Sequence, residues 1–378
     1  MLIQCTKKLL DQLKIKPAEP KEEETLFSWH ANLIIVNRRK TVVLVNDSNR
    51  YVIVLYGLKA KDLKKIDELI LQAIKETFEE ECIKSEIIDK FINQSKEIVY
   101  TKTKNKTSVA RMNKSCEVVY YVNNLLRQDS ICQTDASMCI SRSLIGNGKN
   151  NYITPSNELF KDLEDLEGKP IFRGRAVQLK VTMDLENNNV WRRLVVPINT
   201  TFKKLHEVLQ AAFGWKNYHL HEFYIYDDST QDKLKQYYSP YHKKGYKPII
   251  NLVCNEEAFD YLGEIPMKLE KNIKLREYIP EFKNIKYNYD FGDSWSHYIE
   301  VEKMIDDYDK NYAVCLEGEG KTPPEDVGGE YGYEEFLEII SNKDHPDHKG
   351  MLDWAESQGY EDFDIDDVNM KIKLGTIF

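Results

Sequence analysis

The chain has 378 residues, 42% of them hydrophobic, with 53 Lys+Arg against 62 Asp+Glu and a formal net charge of −9. That length exceeds one hydrophobic core of ordinary size and predicts two domains. The longest apolar runs, Leu33 to Val36 and Tyr51 to Leu58, fall far short of the ~20 residues that cross a bilayer, and the first residues lack the pattern of a secretory signal. The expectation is a cytoplasmic protein without a membrane partner. Seven scattered cysteines with no Cys-x-x-Cys pair read as reduced thiols.

Charge is more informative when divided. Residues 1–170 carry 27 Lys+Arg and 24 Asp+Glu, a net of +3, and the remainder 26 and 38, a net of −12. An acidic C-terminal half argues against that half coating a phosphate backbone. One basic run, Lys102, Lys104, Lys106, Arg111 and Lys114, lies in a stretch from Ile98 to Cys116 without an acidic residue. Such a run commonly forms a solvated loop; the sharper reading is a nucleic-acid contact.

In chain order, Leu2 to Cys5 reads as a strand and Lys7 to Leu13 as a short helix, followed by a polar loop from Pro17 to Glu24. Ala31 to Asn37 and Thr41 to Asn46 form a hairpin around Arg38-Arg39-Lys40, and Tyr51 to Tyr56 adds a third strand of an antiparallel meander. Leu63, Ile66, Leu69, Ile70, Ala73, Ile74 and Phe78 share one helical face, and Ile83, Ile87, Ile88 and Phe91 predict a further helix. Glu117 to Leu126 fits helix or strand equally. Residues 146–157, rich in Gly, Asn, Pro and Ser, read as a linker or surface loop.

The second part opens with a hairpin of Ala176 to Met183 and Val190 to Val196. Thr200-Thr201 caps a helix with Phe202, Leu205, Val208, Leu209, Ala212 and Phe213 inward and Gly214 as its stop. His219 to Tyr226 is a third strand. A second hairpin runs from Asn284 to Lys303 around Gly292-Asp293, and helices follow at Tyr333 to Ile340 and His348 to Ser357. Glu361 to Asp367 is acidic and solvated. The fold expected is α+β in two domains: residues 1–150, a linker at 151–171, and residues 172–378 as a β-grasp-like roll with an added hairpin and C-terminal helices.

Four groups of residues carry a resemblance. They are Val190-Trp191-Arg192-Arg193-Leu194-Val195-Val196-Pro197; the run from Leu205-His206 to His219-Leu220-His221-Glu222-Phe223; Tyr289-Asp290-Phe291-Gly292-Asp293-Ser294-Trp295-Ser296-His297; and Pro323-Pro324-Glu325-Asp326-Val327-Gly328-Gly329. Together they resemble the plasmid pRiA4b ORF-3-like family over about residues 172–376. The resemblance implies an association with plasmids and insertion elements and implies no chemistry. Phe27-Ser28-Trp29-His30-Ala31-Asn32 and the strands after it are similar to an uncharacterised bacterial domain. In many relatives of the first family a second cysteine precedes the double proline. Thr322 stands there in this chain, so Cys315 reads as a buried thiol.

A candidate pocket is assembled from Arg192, Arg193, His219, His221, Glu222, Asp290, Asp293, Trp295, His297, Glu325 and Asp326. Strand alternation puts His219 and His221 on one face, and His219, His221, His297 and Asp293 are the residues that could ligate Zn²⁺ or Fe²⁺. The opposing reading makes these histidines hydrogen-bonded core residues. Arg192 and Arg193 face opposite sides of a strand, so one turns inward and requires a carboxylate, from Glu222, Asp290 or Asp326. No Walker loop, dinucleotide fingerprint, nucleophile elbow or zincin helix occurs, so the sequence fixes no reaction and no cofactor beyond a divalent metal at that pocket. The first reading is a mobile-element-associated binding or regulatory protein with a protein partner and a nucleic-acid contact in its N-terminal part. The alternative is a metal-dependent hydrolase of phosphate esters.

Overall fold

A computed structural model describes all residues except 20–23, 149–150, 237–239, 261–263 and 378, together with the side chains of 374–377. Part of the expected polar loop, Pro20 and Glu22-Glu23, therefore lies outside the described residues. The chain divides into two compact units, one holding Met1–Gly174 and the other Arg175–Thr376.

The first unit contains β1 (Leu2–Cys5), α1 (Lys7–Leu13), β2 (Ser28–Val36), β3 (Arg39–Asn46), β4 (Val52–Leu58), α2 (Ala60–Leu63), α3 (Ile66–Glu80), α4 (Ser85–Ser95), β5 (Val99–Lys102), α5 (Lys106–Tyr121), α6 (Thr134–Ser141), β6 (Ile145–Gly146), β7 (Tyr152–Ile153) and α7 (Pro155–Glu167). Its main sheet has the order β4-β3-β2-β1-β5. The meander β2-β3-β4 is antiparallel as expected, and β1 joins it parallel to both β2 and β5. The β2–β3 turn is the pair Asn37-Arg38, both at positive φ, and Arg39 already pairs with Val36. The turn expected at Arg38-Arg39-Lys40 therefore comes one residue earlier, because a two-residue turn of this hand matches the strand twist.

Both faces of this sheet are covered, which explains the unbroken apolar run in β4. Val42, Leu44, Ile53 and Leu55 pack with Ile70, Ile74 and Phe78 of α3 and with Ile87 and Phe91 of α4. Val43, Val45, Val52 and Val54 pack on the other side with Met112, Cys116 and Val119 of α5 and Ile140 of α6. The segment 151–171, expected as a linker, instead contains α7, with Leu159 and Leu163 fully buried in the first of these clusters. Pro155 at the helix start and Gly168 in a left-handed C-cap, φ 65°, delimit it. The backbone after it stays bonded to the same unit, Lys84 N–H donating to Ile171 O at 2.8 Å and Arg173 N–H to Cys82 O at 2.7 Å.

The second unit contains β8 (Gly174–Met183), β9 (Trp191–Pro197), α8 (Phe202–Phe213), β10 (His221–Gln231), β11 (Tyr246–Val253), β12 (Met267–Leu269), β13 (Asn284–Tyr289), β14 (Trp295–Tyr308), β15 (Val314–Glu319), α9 (Gly329–Ser341), α10 (His348–Gln358) and α11 (Ile365–Ile377). Its sheet runs β12-β11-β10-β13-β14-β8-β9-β15. Helix α8 forms as its sequence dictates: Thr201 Oγ1 accepts the Lys204 N–H at 3.1 Å, and Gly214 closes the helix at φ 76°. Leu205, Leu209 and Phe213 pack on Leu179, Val181, Phe223 and Ile285 of the sheet. Residues Val368 and Ile372 of α11 join that cluster, so the acidic segment ahead of them ends as a helix start, with Asp364 accepting the Asp366 and Asp367 N–H groups at 2.8 and 3.0 Å. Among the described residues no helix is long and apolar enough to cross a membrane.

Candidate functional site

Three connections converge at one end of the second unit: the segment between α8 and β10, the β13–β14 turn, and the double-proline loop before α9. Trp215 Nε1–H donates to Pro323 O at 3.0 Å. Glu325 Oε1 accepts both the Lys216 N–H at 3.0 Å and the Tyr289 hydroxyl at 2.6 Å, and that hydroxyl accepts the Tyr218 N–H at 3.1 Å. The Asp290 N–H donates to Leu220 O at 3.0 Å. Asp293 Oδ2 accepts the Gly328 N–H at 3.1 Å, which ties the turn to the loop. Two glycines are required there. A Cβ on Gly329, at φ 70°, would stand 3.0 Å from Asp293 O, and one on Gly332 would stand 2.1 Å from Val327 O.

This scaffold presents His219 to two carboxylates. His219 Nε2 lies 3.2 Å from Asp326 Oδ1 and 3.5 Å from Asp290 Oδ2. Neither approach is aligned as a hydrogen bond, and Nε2 has no hydrogen-bond partner. Asp290 and Asp326 both hold left-handed backbone, φ 54° and 58°, and Asp290 Oδ1 accepts the Gly292 and Asp293 N–H groups at 2.9 and 3.3 Å. The turn's positive φ values thus fall on Asp290 and Ser294 and not on Gly292-Asp293: the Asp290 side chain closes the turn on the backbone two and three residues on, as aspartate in a left-handed position does.

His221 goes elsewhere. His219 precedes β10 by two residues, so strand alternation does not relate the pair. His221 Nε2 meets Glu270 Oε2 at 3.0 Å, and its ring stacks on that of His206 with centroids 3.4 Å apart. Burial lowers the His221 pKa, but the bonding with Cys254 and Glu270 outweighs it and carries the group up to about 9. Burial, followed by the charge of His221, pushes His206 down to about 3. His206 is therefore neutral, and its Nδ1 is 2.7 Å from the Tyr287 hydroxyl and its Nε2 2.7 Å from Asn217 Oδ1. His297 is fully buried against Phe213, Trp215 and Tyr287, with neither ring nitrogen hydrogen-bonded. Burial holds its pKa at about 3. The metal set His219, His221, His297 and Asp293 is thus not assembled. His219, Asp290 and Asp326 are the donors brought together, all within 4.8 Å of one another.

The remaining pocket residues separate as well. Glu222 points from the sheet face opposite His221 and bridges Asn251 and Asn288 at 2.7 and 2.9 Å. Trp295 is buried and lies against Trp215. Arg193 is held outside by Glu302 at 2.9 Å and by Glu317. Arg192 is the inward arginine, and the carboxylate partner expected for it is absent among the described residues. Its guanidinium donates to the carbonyls of Trp191, Ala212, Glu319 and Gly320 and to Thr322 Oγ1 at 2.8–3.3 Å. Four carbonyls and one hydroxyl thus satisfy the five donors of the fork, the rings of Phe213 and Phe363 lie 5.1 and 4.3 Å away, and burial lowers its pKa to about 10. Cys315 is a buried thiol as expected, its pKa raised by burial.

A profile of the plasmid pRiA4b ORF-3-like proteins matches residues 175–372. The chain belongs to this family. Residues 2–158 match a second family, described as a domain of unknown function (DUF6933). An uncharacterized protein of Sinorhizobium fredii is 35% identical over 188 residues, 49% of this chain and 84% of that protein. A crystal structure of a protein of unknown function from Methanosarcina mazei Go1 is 31% identical, covers 52% of this chain and 98% of its own, and superposes with a TM-score of 0.39. In this pRiA4b ORF-3-like chain the trio lies wholly inside the matched region. Sequence reasoning named all three of its residues but placed neither the buried His206 and Glu270 nor the exposed Asn217 at the pocket. His206 follows Leu205 on α8 and is buried with the inward face, of which the sequence reading had named only the apolar members. Glu270 stands in a loop and carried no signal.

In the N-terminal unit the basic run is a loop only at Lys104. Lys102 ends β5, and Lys106, Arg111 and Lys114 lie on α5, whose Asn105 cap accepts the Thr107 N–H at 2.8 Å. Arg111 is half-buried and donates to Asn147 at 3.3 Å.

Proposed function

We propose that the chain is a non-catalytic binding protein of the mobile-element type, with a nucleic-acid contact on β5–α5 and a protein-binding surface on its C-terminal unit. The observation that carries this reading is the charge along β5, α5 and the connection between them. Lys102, Lys104, Lys106 and Lys114 are exposed, and among the described residues none has an ion-pair partner, while Met112, Cys116 and Val119 anchor the helix by its other face. Exposed, unpaired lysines on and between two ordered elements suit phosphate contacts and release counterions on binding. Tyr218, Leu220 and Phe291, 72%, 48% and 53% exposed, flank His219 and Asp290 and favour a protein partner in the acidic unit. The succession β8–β9 hairpin, α8, β10 supports a β-grasp-like roll as the scaffold. The hydrolase alternative weakens, because His221, His297 and Asp293 are each engaged or buried away from His219.

Fluorescence anisotropy of a labelled duplex with the full chain at low salt tests the nucleic-acid contact. Changing Lys102, Lys104, Lys106 and Lys114 together to Ala is expected to weaken binding at least tenfold. Absence of binding by the wild type, or equal binding by the variant, overturns the reading.

A further inference from the structure

We propose that His219, Asp290 and Asp326 form a divalent-cation site of the Zn²⁺ or Mn²⁺ class on the C-terminal unit. Donors about 2.1 Å from a metal stand roughly 3.0 Å apart in octahedral and about 3.4 Å apart in tetrahedral geometry. The His219 Nε2 separations of 3.2 and 3.5 Å from the two carboxylates already have that spacing. Charge points the same way. Two carboxylates face one imidazole, and among the described residues no Lys or Arg pairs with either, so the cluster is net negative even with His219 protonated. Asp290 is only 6% exposed, and its Oδ1 is occupied by the turn N–H groups while Oδ2 accepts no hydrogen bond among the described residues and lies 3.5 Å from His219 Nε2. A carboxylate on so buried a residue is stabilised by a cation. Asp326, with its side chain 71% exposed, leaves the outer coordination positions open to water or to a ligand. One imidazole and two carboxylates are a donor set for borderline to hard divalent ions.

The site lies in the other unit from the β5–α5 lysines, so its failure and the failure of the nucleic-acid reading are separable. The test is titration of metal-stripped full-length protein with ZnCl₂ and with MnCl₂ by calorimetry, with the thermal midpoint followed in parallel. The expected result is one equivalent of at least one of the two ions per chain, with a raised midpoint, and at least tenfold weaker binding in Asp326→Asn and in His219→Gln. Asparagine tolerates the left-handed backbone of position 326, so that variant decides the outcome if His219→Gln does not fold. No stoichiometric binding of either ion, or binding that survives in a folded variant, overturns the proposal.

Discussion

Arg192 and Arg193 are neighbours in sequence and opposites in surroundings, and the difference is testable. Arg193 sits in exposed ion pairs that are worth little, whereas Arg192 satisfies carbonyls at the ends of α8 and β15. Arg192→Lys removes the planar fork and leaves several acceptors unmet, at a cost on the order of 3 kcal/mol in urea titration; a loss below ~1 kcal/mol would contradict that role. His242 gives a second prediction at this scale. It is 1% exposed among Tyr226, Tyr246 and Tyr298, with Lys243, Lys244, Lys286 and Glu300 as the charged groups around it. Its Nδ1 accepts the Lys244 N–H at 3.1 Å, and its Nε2 has no partner. Burial, aided by the lysines, pushes its pKa down to about 4. The unfolded chain then binds the extra proton first, so this residue removes stability as pH falls from about 6.5 toward 4. His242→Phe is expected to flatten the acid limb of a stability–pH profile; parallel profiles would contradict it. The sequence pattern alone showed that one arginine turns inward, but not what would meet it, because carbonyl acceptors carry no residue signature.

At the scale of elements, α8 was legible from cap to cap because Thr201, the apolar stripe and Gly214 agree. The helix α7 was not. Its flanks are rich in Gly, Asn and Pro, and that composition outweighed the spacing of Leu159, Leu163 and Leu166, which share one face with Phe160 alongside. Leu163→Ala is expected to cost about 2–5 kcal/mol of N-terminal-unit stability, since the Leu163 side chain is packed on all sides and has no contact with solvent. A change under ~1 kcal/mol in denaturant titration would return the segment to the status of a linker. The candidate site shows the same limit. Alternation is a property of strands, and it was applied to His219, which stands two residues ahead of β10. The turn and the double-proline loop that bring Asp290 and Asp326 to it are long-range features, 36 residues apart in the chain by the Tyr289–Glu325 bond beside them, and local pattern does not encode such a meeting.

For the whole molecule, two units were legible from length and from the charge split, a net of +3 over residues 1–170 against −12 over the rest. Their boundary was not, because Ile171 and Arg173 remain bonded to the first unit and the division falls after Gly174. The split bears on the proposed function: an acidic C-terminal half disfavours phosphate, so the proposal assigns the nucleic-acid contact to the basic strip on β5–α5. The measurement that tests this most directly is the salt dependence of duplex binding by the full chain. With four lysines in contact, log K should fall against log salt with a slope of about −4, and Lys106→Ala with Lys114→Ala should flatten that slope by about 2. A slope near zero in the wild type, or one that the double substitution leaves unchanged, would contradict a nucleic-acid contact on β5–α5.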